Sequence, residues 1–155
     1  MNVRLKTVDS FDQAQSHASD VERALADSED LALIQSDPPN PHELLERLNG
    51  APESVFVVAE SMEPKEDGAT VGLCLTGPLV DPLTADRFPM VIVCWVAPAY
   101  RHRGLARHLL EDVARQLEGR GYPALATRTD HNDDALISMG ERWGFTRRWE
   151  ILLRD

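Results

Sequence analysis

The chain has 155 residues, 43% hydrophobic and 27% charged, enough for one domain with a core that needs no disulfide or metal staple. Its 16 Lys and Arg are outnumbered by 26 Asp and Glu, and the resulting charge of −10 argues against nucleic-acid backbone binding while allowing a local basic pocket. Cys74 and Cys94 are too few and too far apart in sequence for a disulfide scaffold, no Cys-x-x-Cys suggests zinc, and the longest apolar run, Met90 to Ala97, is far short of a membrane span. The start, Met1 to Lys6, lacks the apolar stretch of a signal peptide, so a soluble, cytoplasmic, single-domain protein is expected, with no metal, nucleic-acid or membrane partner.

Val3 to Val8 alternates apolar and charged residues and predicts a short half-buried strand. Asp9 and Ser10 offer caps for one helical stretch reaching the mid-twenties, acidic beyond Asp20. The prolines between Ser36 and Pro41 make a loop, after which Asn40 caps a helix with Pro41 in its first turn and Leu44, Leu45 and Leu48 on one face. Val55 to Glu60 and Thr70 to Thr76 read as a hairpin around the polar turn Met62 to Gly68. Gly77 to Pro89 reads as a loop, and Met90 to Val96 as a continuous buried strand.

Leu105, Leu109, Val113 and Leu117 form one stripe of a helix that ends at Gly119. Ala124 to Thr129 follows as a strand, then a helix from an Asn132 cap to Trp143, burying Leu136, Met139 and Trp143 and stopping at Gly144. Thr146 to Leu153 is a last strand with Trp149, Ile151 and Leu153 on one face. The order βααβββαβαβ is that of an α/β domain with a central strand–helix–strand crossover.

The segment Val96 to Ala106, VAPAYRHRGLA, carries the chemistry. A buried strand ends at Pro98, and a short basic turn enters a helix at Gly104. The first amides of a helix have no partner within it, and its dipole is positive at that end. Gly104 and the small Ala106 let an anion approach the backbone, and Arg101, His102, Arg103 and Arg107 add charge. The pattern fits a nest of pyrophosphate size, and it equally fits a basic turn that is merely solvated.

V-x-P-x-Y-R-x-x-G-x-A resembles the acetyl-CoA signature of the GNAT superfamily of N-acetyltransferases, whose core is R/Q-x-x-G-x-G/A. Arg101, Gly104 and Ala106 fill that core, and Glu141 to Phe145, ERWGF, matches the family's common E-K/R-L-G-F. The resemblance runs from about Ser54 to Phe145. It implies a mixed, mostly antiparallel central sheet with flanking helices and a splayed parallel strand pair. It also implies that the amides from Arg101 through Leu105 to Ala106 cradle the CoA pyrophosphate, with pantetheine in the gap beside Trp95 and Val96. An amide near Trp95 or Val96 would polarise the thioester carbonyl, and Asp133 falls where the family often has an asparagine, with Asn132 beside it. Acetyl-CoA is then a co-substrate, and a small amine or peptide amine attacks it directly in a ternary complex.

Two departures from the family stand out. Its frequent general-acid tyrosine falls on Met139 or Gly140, leaving Ser138 or water to assist the departing thiolate. Only ten residues follow Phe145, so the sheet's C-terminal region is shortened and a homodimer is expected to complete its edge. Asp81 and Asp86, before the core strand, are candidates to orient or deprotonate a cationic amine. Two rival functions are a non-catalytic acyl-CoA sensor with the same fold and transfer to a hydroxyl.

Other features are set aside. Gly119 to Ala124 fits G-x-G-x-x-A, but it follows a helix and precedes a strand, the reverse of a dinucleotide site. His102 and His108 fall on different helix faces, His131 sits beside a cap, and Cys94 reads as core packing. Trp95, Trp143 and Trp149 lack the basic patch of a base-stacking surface, and Asp20 to Asp30 reads as a solvated helix face.

Overall fold

A computed structural model describes residues 1–28, 37–129, 132–148, 152 and 154. Four strands form one antiparallel sheet in the order β1 (Val3–Thr7), β2 (Phe56–Ser61), β3 (Thr70–Val80) and β4 (Arg87–Val96). Helices α1 (Phe11–Ser16), α2 (Ala18–Asp27) and α3 (Pro41–Leu48) lie between β1 and β2 in the chain. A 3-10 turn, Pro98–Tyr100, leads from β4 to α4 (Leu105–Gly119), and α5 (Asp134–Arg142) comes last.

Alternation along the strands sends successive side chains to opposite faces of the sheet. Phe56, Val58, Leu73, Leu75, Val93 and Trp95 pack with Val21, Ala24, Leu44 and Leu45 of α2 and α3. Val57, Ala59, Val71 and Cys74 turn the other way, onto Leu105, Leu109, Val113 and Leu117 of α4. The product is three layers with a core on each side of the sheet. Gly72 permits the close approach of α4: a Cβ there would stand 3.2 Å from a Leu109 methyl and from the Trp95 carbonyl oxygen.

Local rules hold where capping chemistry decides. The Ser10 side chain accepts from Gln13 N–H, and Asn40 accepts from His42 and Glu43 with Pro41 in the first turn. The expected single helix after Ser10 is instead two, broken at His17, whose ring meets Asp20 Oδ2 at 2.9 Å and the edge of Phe56. A tertiary contact there overrides a sequence with no internal stop signal.

The loop expected over Gly77 to Pro89 is mostly strand. The β3–β4 ladder continues through Pro78 opposite Pro89 to Val80 opposite Arg87, leaving only a short turn at 81–86. Of the strand expected over Ala124 to Thr129, one parallel bridge forms, Met90 with Ala126. The N-cap of α5 is Asp133, whose carboxylate accepts from Leu136 N–H, in place of Asn132.

Helix α5 buries none of its residues: Leu136 is 41% exposed, and Met139 and Trp143 are half-buried. Its apolar stripe has no sheet beside it among the described residues, because Ala124 to Thr129 contributes a single rung. Residues 146–148 and 152 of the expected last strand are not in strand conformation. Trp149, Ile151 and Leu153 lie outside the described residues, as does His131.

Candidate active site

The site begins at an irregularity in β4. The β3–β4 register shifts between Leu75 and Thr76, so Val93 faces Leu75 and Val91 faces Thr76 while Ile92 has no opposite number. Such a bulge reverses which edge each amide faces. Before it, Val91 N–H donates to the Ala126 carbonyl at 2.8 Å, and Ala126 N–H donates to Pro89 at 2.9 Å. The 124–129 segment is therefore bound to β4 on the near side of the bulge.

Beyond the bulge the pairing with that segment ends. Ala97 N–H donates to the Val71 carbonyl at 2.8 Å, and antiparallel hydrogen bonding alternates residue by residue. Trp95 and Val93 accordingly aim their amides at β3, whereas Cys94 and Val96 aim theirs at the opposite edge. This separates the two sequence candidates: the Val96 amide faces the open edge and the Trp95 amide does not. The open edge belongs to the half of β4 that runs into the basic turn.

The Trp95 side chain lies on the α2 face, 4% exposed. Its indole N–H donates to Asp27 Oδ2 at 2.9 Å, and the Arg23 guanidinium lies 4.7 Å from its ring centroid. The same Asp27 oxygen stands 3.6 Å from Arg101 Nη2. Asp27 thus joins the end of α2 to the end of β4 and to the turn, a role that no local sequence signal announces.

The turn itself has two left-handed residues, His102 at φ 61° and Gly104 at φ 82°. Left-handed backbone turns consecutive amides toward one concave side, the geometry of an anion nest. A non-glycine residue there costs about 1–2 kcal/mol, so His102 holds a strained conformation. Among the described residues, no group of the protein accepts from the amides of His102, Arg103, Gly104, Leu105, Ala106 or Arg107. A Cβ on Gly104 would meet nothing within 4 Å, which leaves the concave side open.

The basic side chains divide their work. Arg101 Nε donates to the Val96 carbonyl at 2.9 Å, bracing the turn against the strand end. Arg107 pairs along the helix with Glu111 at 2.7 Å, Leu105 is buried and offers only its amide, and His102 and Arg103 are exposed. Tyr100 is buried, with its hydroxyl 3.0 Å from Ser61 Oγ and donating to Glu66 at 2.9 Å. The turn is thereby tied to the β2–β3 hairpin.

Asp81 and Asp86 stand apart from this arrangement. They occupy the turn that begins β4, the strand's length of about 30 Å from the nest. Asp81 Oδ1 accepts from the amides of Leu83 (2.7 Å) and Thr84 (3.1 Å), and Asp86 accepts from the Thr84 hydroxyl at 2.8 Å. Both carboxylates shape their own turn, and the extension of the hairpin through Pro78 and Pro89 sets them at the opposite end of β4 from the basic turn. Ser138 is exposed on α5. No group of His, Cys, Asp and Glu able to hold a metal occurs among the described residues, and none of their helices is long and apolar enough to cross a membrane.

The sequence profile of the Acetyltransferase (GNAT) family matches residues 22–145, most of the chain and all of the geometry just described. The chain belongs to the GNAT family. No curated protein matches it in sequence. Its fold is similar to that of a ribosomal-protein-alanine N-acetyltransferase from Brucella melitensis biovar Abortus 2308, at 21% identity and TM-score 0.66 over 100% of this chain and 99% of that one. It is also similar to the aminoglycoside N-acetyltransferase AAC(6')-Iy in complex with CoA, at 16% identity and TM-score 0.71 over 99% and 94% of the two chains. An acetyltransferase from Trypanosoma brucei aligns at 18% identity and TM-score 0.63 over 99% of each chain.

Proposed function

We propose that this GNAT protein is a single-domain N-acetyltransferase that moves the acetyl group of acetyl-CoA to the nitrogen of an amine. The observation that carries the reading is the run of six unpartnered amides, His102 to Arg107, placed where the open edge of β4 ends. The pyrophosphate would be held by those amides, with Arg103 and His102 adding charge, and pantetheine would lie along the edge that offers the Cys94 and Val96 amides. Acetyl-CoA supplies an activated thioester. The Val96 amide is the donor placed to stabilise negative charge on the thioester oxygen.

The acceptor is a small amine or a peptide amine, favoured as a cation by the charge of −10. Its nitrogen first gives one proton to water, then forms the new C–N bond as the C–S bond breaks, and a second proton passes to water or to the departing sulfur. A free thiol ionises near pKa ~8.5, so the thiolate can depart with water, or with Ser138, in place of a tyrosine acid. Asn132 and Asp133, at the start of α5, complete the proposed cofactor contacts. A cytoplasmic setting and a homodimer belong to the same reading, the dimer motivated by the exposed Leu136 on α5.

A second reading, a non-catalytic acyl-CoA sensor, is favoured by Met139 and Gly140 where relatives often carry tyrosine. Calorimetry with CoA and acetyl-CoA, followed by thiol release across a panel of amines, decides between them. Binding with amine-dependent thiol release is the expected result. Binding without release on any amine makes the protein a sensor, and no binding at millimolar ligand removes both readings.

A further inference from the structure

The chain's two cysteines, more than a dozen residues apart in sequence, meet on one rung of the sheet. Cys74 of β3 is directly opposite Cys94 of β4. The neighbouring rungs, Leu73 with Trp95 and Leu75 with Val93, belong to the hydrogen-bonded set fixed by the Ala97 amide on Val71. Cys74 and Cys94 therefore form a non-hydrogen-bonded pair, the type in which Cα atoms stand about 4.5 Å apart and side chains come closest. That spacing lies within the range of about 4.4–6.8 Å that a disulfide spans.

Both side chains lie on the α4 face, Cys74 fully buried and Cys94 partly exposed. The Cys94 sulfur reaches 4.0 Å from the Ala106 carbonyl oxygen, in the first turn of α4. The neighbouring Cys94 thiol, together with burial, holds the Cys74 thiol well above the ordinary thiol range. Cys74 thus rests as a protonated partner against the more accessible sulfur. Simple packing at this position requires two small side chains and does not require that both be thiols.

We propose that Cys74 and Cys94 form an oxidation site that a hydroperoxide closes to a cross-strand disulfide and a dithiol reductant reopens. The Cys94 sulfur takes one oxygen from the hydroperoxide, breaking the O–O bond and giving a sulfenic acid and an alcohol, or water when the oxidant is hydrogen peroxide. The Cys74 sulfur then attacks that sulfur, an S–S bond forms, and the second oxygen leaves as water with the Cys74 proton. The two thiols lose two electrons, and the peroxide gains them. The closed link ties β3 to β4 beside the bulge, directly beneath the turn that carries the free amides. Short cross-strand spans of this kind sit at the strained, readily reduced end of the disulfide range.

The test uses the folded full chain and does not depend on acyl transfer. The protein is exposed to a stoichiometric amount of hydrogen peroxide, alkylated with iodoacetamide and digested with trypsin. Cleavage after Lys65, Arg87 and Arg101 places the cysteines on separate peptides, 66–87 and 88–101. The expected product is those two peptides joined by a disulfide, from a protein of monomer mass that has lost two hydrogens. Dithiothreitol should restore two alkylated thiols. In Cys74→Ala, Cys94 should instead accumulate its oxygenated forms, which shows that Cys74 is the resolving thiol. Two thiols still alkylated after peroxide, oxygen retained on Cys94 in the wild-type chain, or a link between two chains would each overturn the proposal.

Discussion

The Nε–H of Arg101 donates to the main-chain oxygen of Val96 at 2.9 Å, so the arginine of the R-x-x-G-x-A motif folds back onto its own strand. Its first task is to fix the turn, and only its outer nitrogens remain to meet Asp27 or a ligand. A charge-assisted hydrogen bond of this kind contributes about 1.5–3 kcal/mol. Arg101→Ala should therefore weaken CoA binding by about tenfold or more, with a loss that persists at high salt. Arg103→Ala should cost less, and its effect should fade as salt is raised. Calorimetry at two ionic strengths checks the contrast, and equal salt dependence would show that Arg101 acts only as a charge.

Gly104 combines a φ of 82° with open space where its Cβ would stand. A β-branched residue is strained there by its backbone and projects into the ligand's approach. Gly104→Val should leave the circular-dichroism spectrum native and sharply reduce CoA affinity. Unchanged affinity would place the pyrophosphate elsewhere.

The buried Trp95 indole relies on Asp27 for its hydrogen bond. Asp27→Ala leaves that donor without its partner, a loss of about 1–3 kcal/mol that should appear as a lower urea midpoint with an unchanged slope. The same substitution removes the contact of α2 with Arg101. An unaltered midpoint would mean that water replaces the carboxylate without cost.

The Tyr100 hydroxyl is occupied by Ser61 and Glu66, which makes it a brace and not an acid. Tyr100→Phe should lower stability by about 1 kcal/mol and keep most of the maximal rate, and Tyr122→Phe, at a partly buried ring packed against the core on the α4 side, should keep it as well. A thousandfold loss in either, with CoA affinity intact, would identify a general acid.

Glu53, 1% exposed, forms a two-pronged bond with Arg87 at 2.7 and 3.2 Å, and that bond holds its carboxyl below the usual range against the upward pull of burial. A depressed folded-state pKa adds stability that is present above the ordinary carboxyl value and is lost as pH falls through the lower one. Arg87→Gln removes the cause, so acid unfolding should begin at higher pH than in the wild type. A coincident acid transition would show that Glu53 is not ionised in the fold.

Much of the fold is written in local chemistry. Asn40 with Pro41, Gly104 before Leu105, and Gly144 after α5 each mark an end whose cause lies within four residues, and the stripe from Leu105 to Leu117 needs no tertiary information. What escapes the sequence depends on distant partners. Pro78 and Pro89 look like loop residues until they face each other across a hairpin, where neither needs to donate a ladder bond. The break at His17 is set by Phe56, and the site's acidic residue near the strand end is Asp27, known only from its contact with Trp95. Asp81 and Asp86 precede the core strand in sequence, yet a strand's length separates them from the end that enters the basic turn. The turn was legible because a family signature and a helix start coincide there, and the choice between the Trp95 and Val96 amides required the bulge at Ile92.

On the proposed function, one continuous amide surface, the open edge of β4 and the turn after it, receives the coenzyme. Titrating ¹⁵N-labelled protein with CoA and following the amide resonances tests it residue by residue. The largest shifts are expected at His102 to Arg107, with Cys94 and Val96 also moving and Asp81 and Asp86 still. Shifts confined to other residues, or none at millimolar CoA, would contradict it.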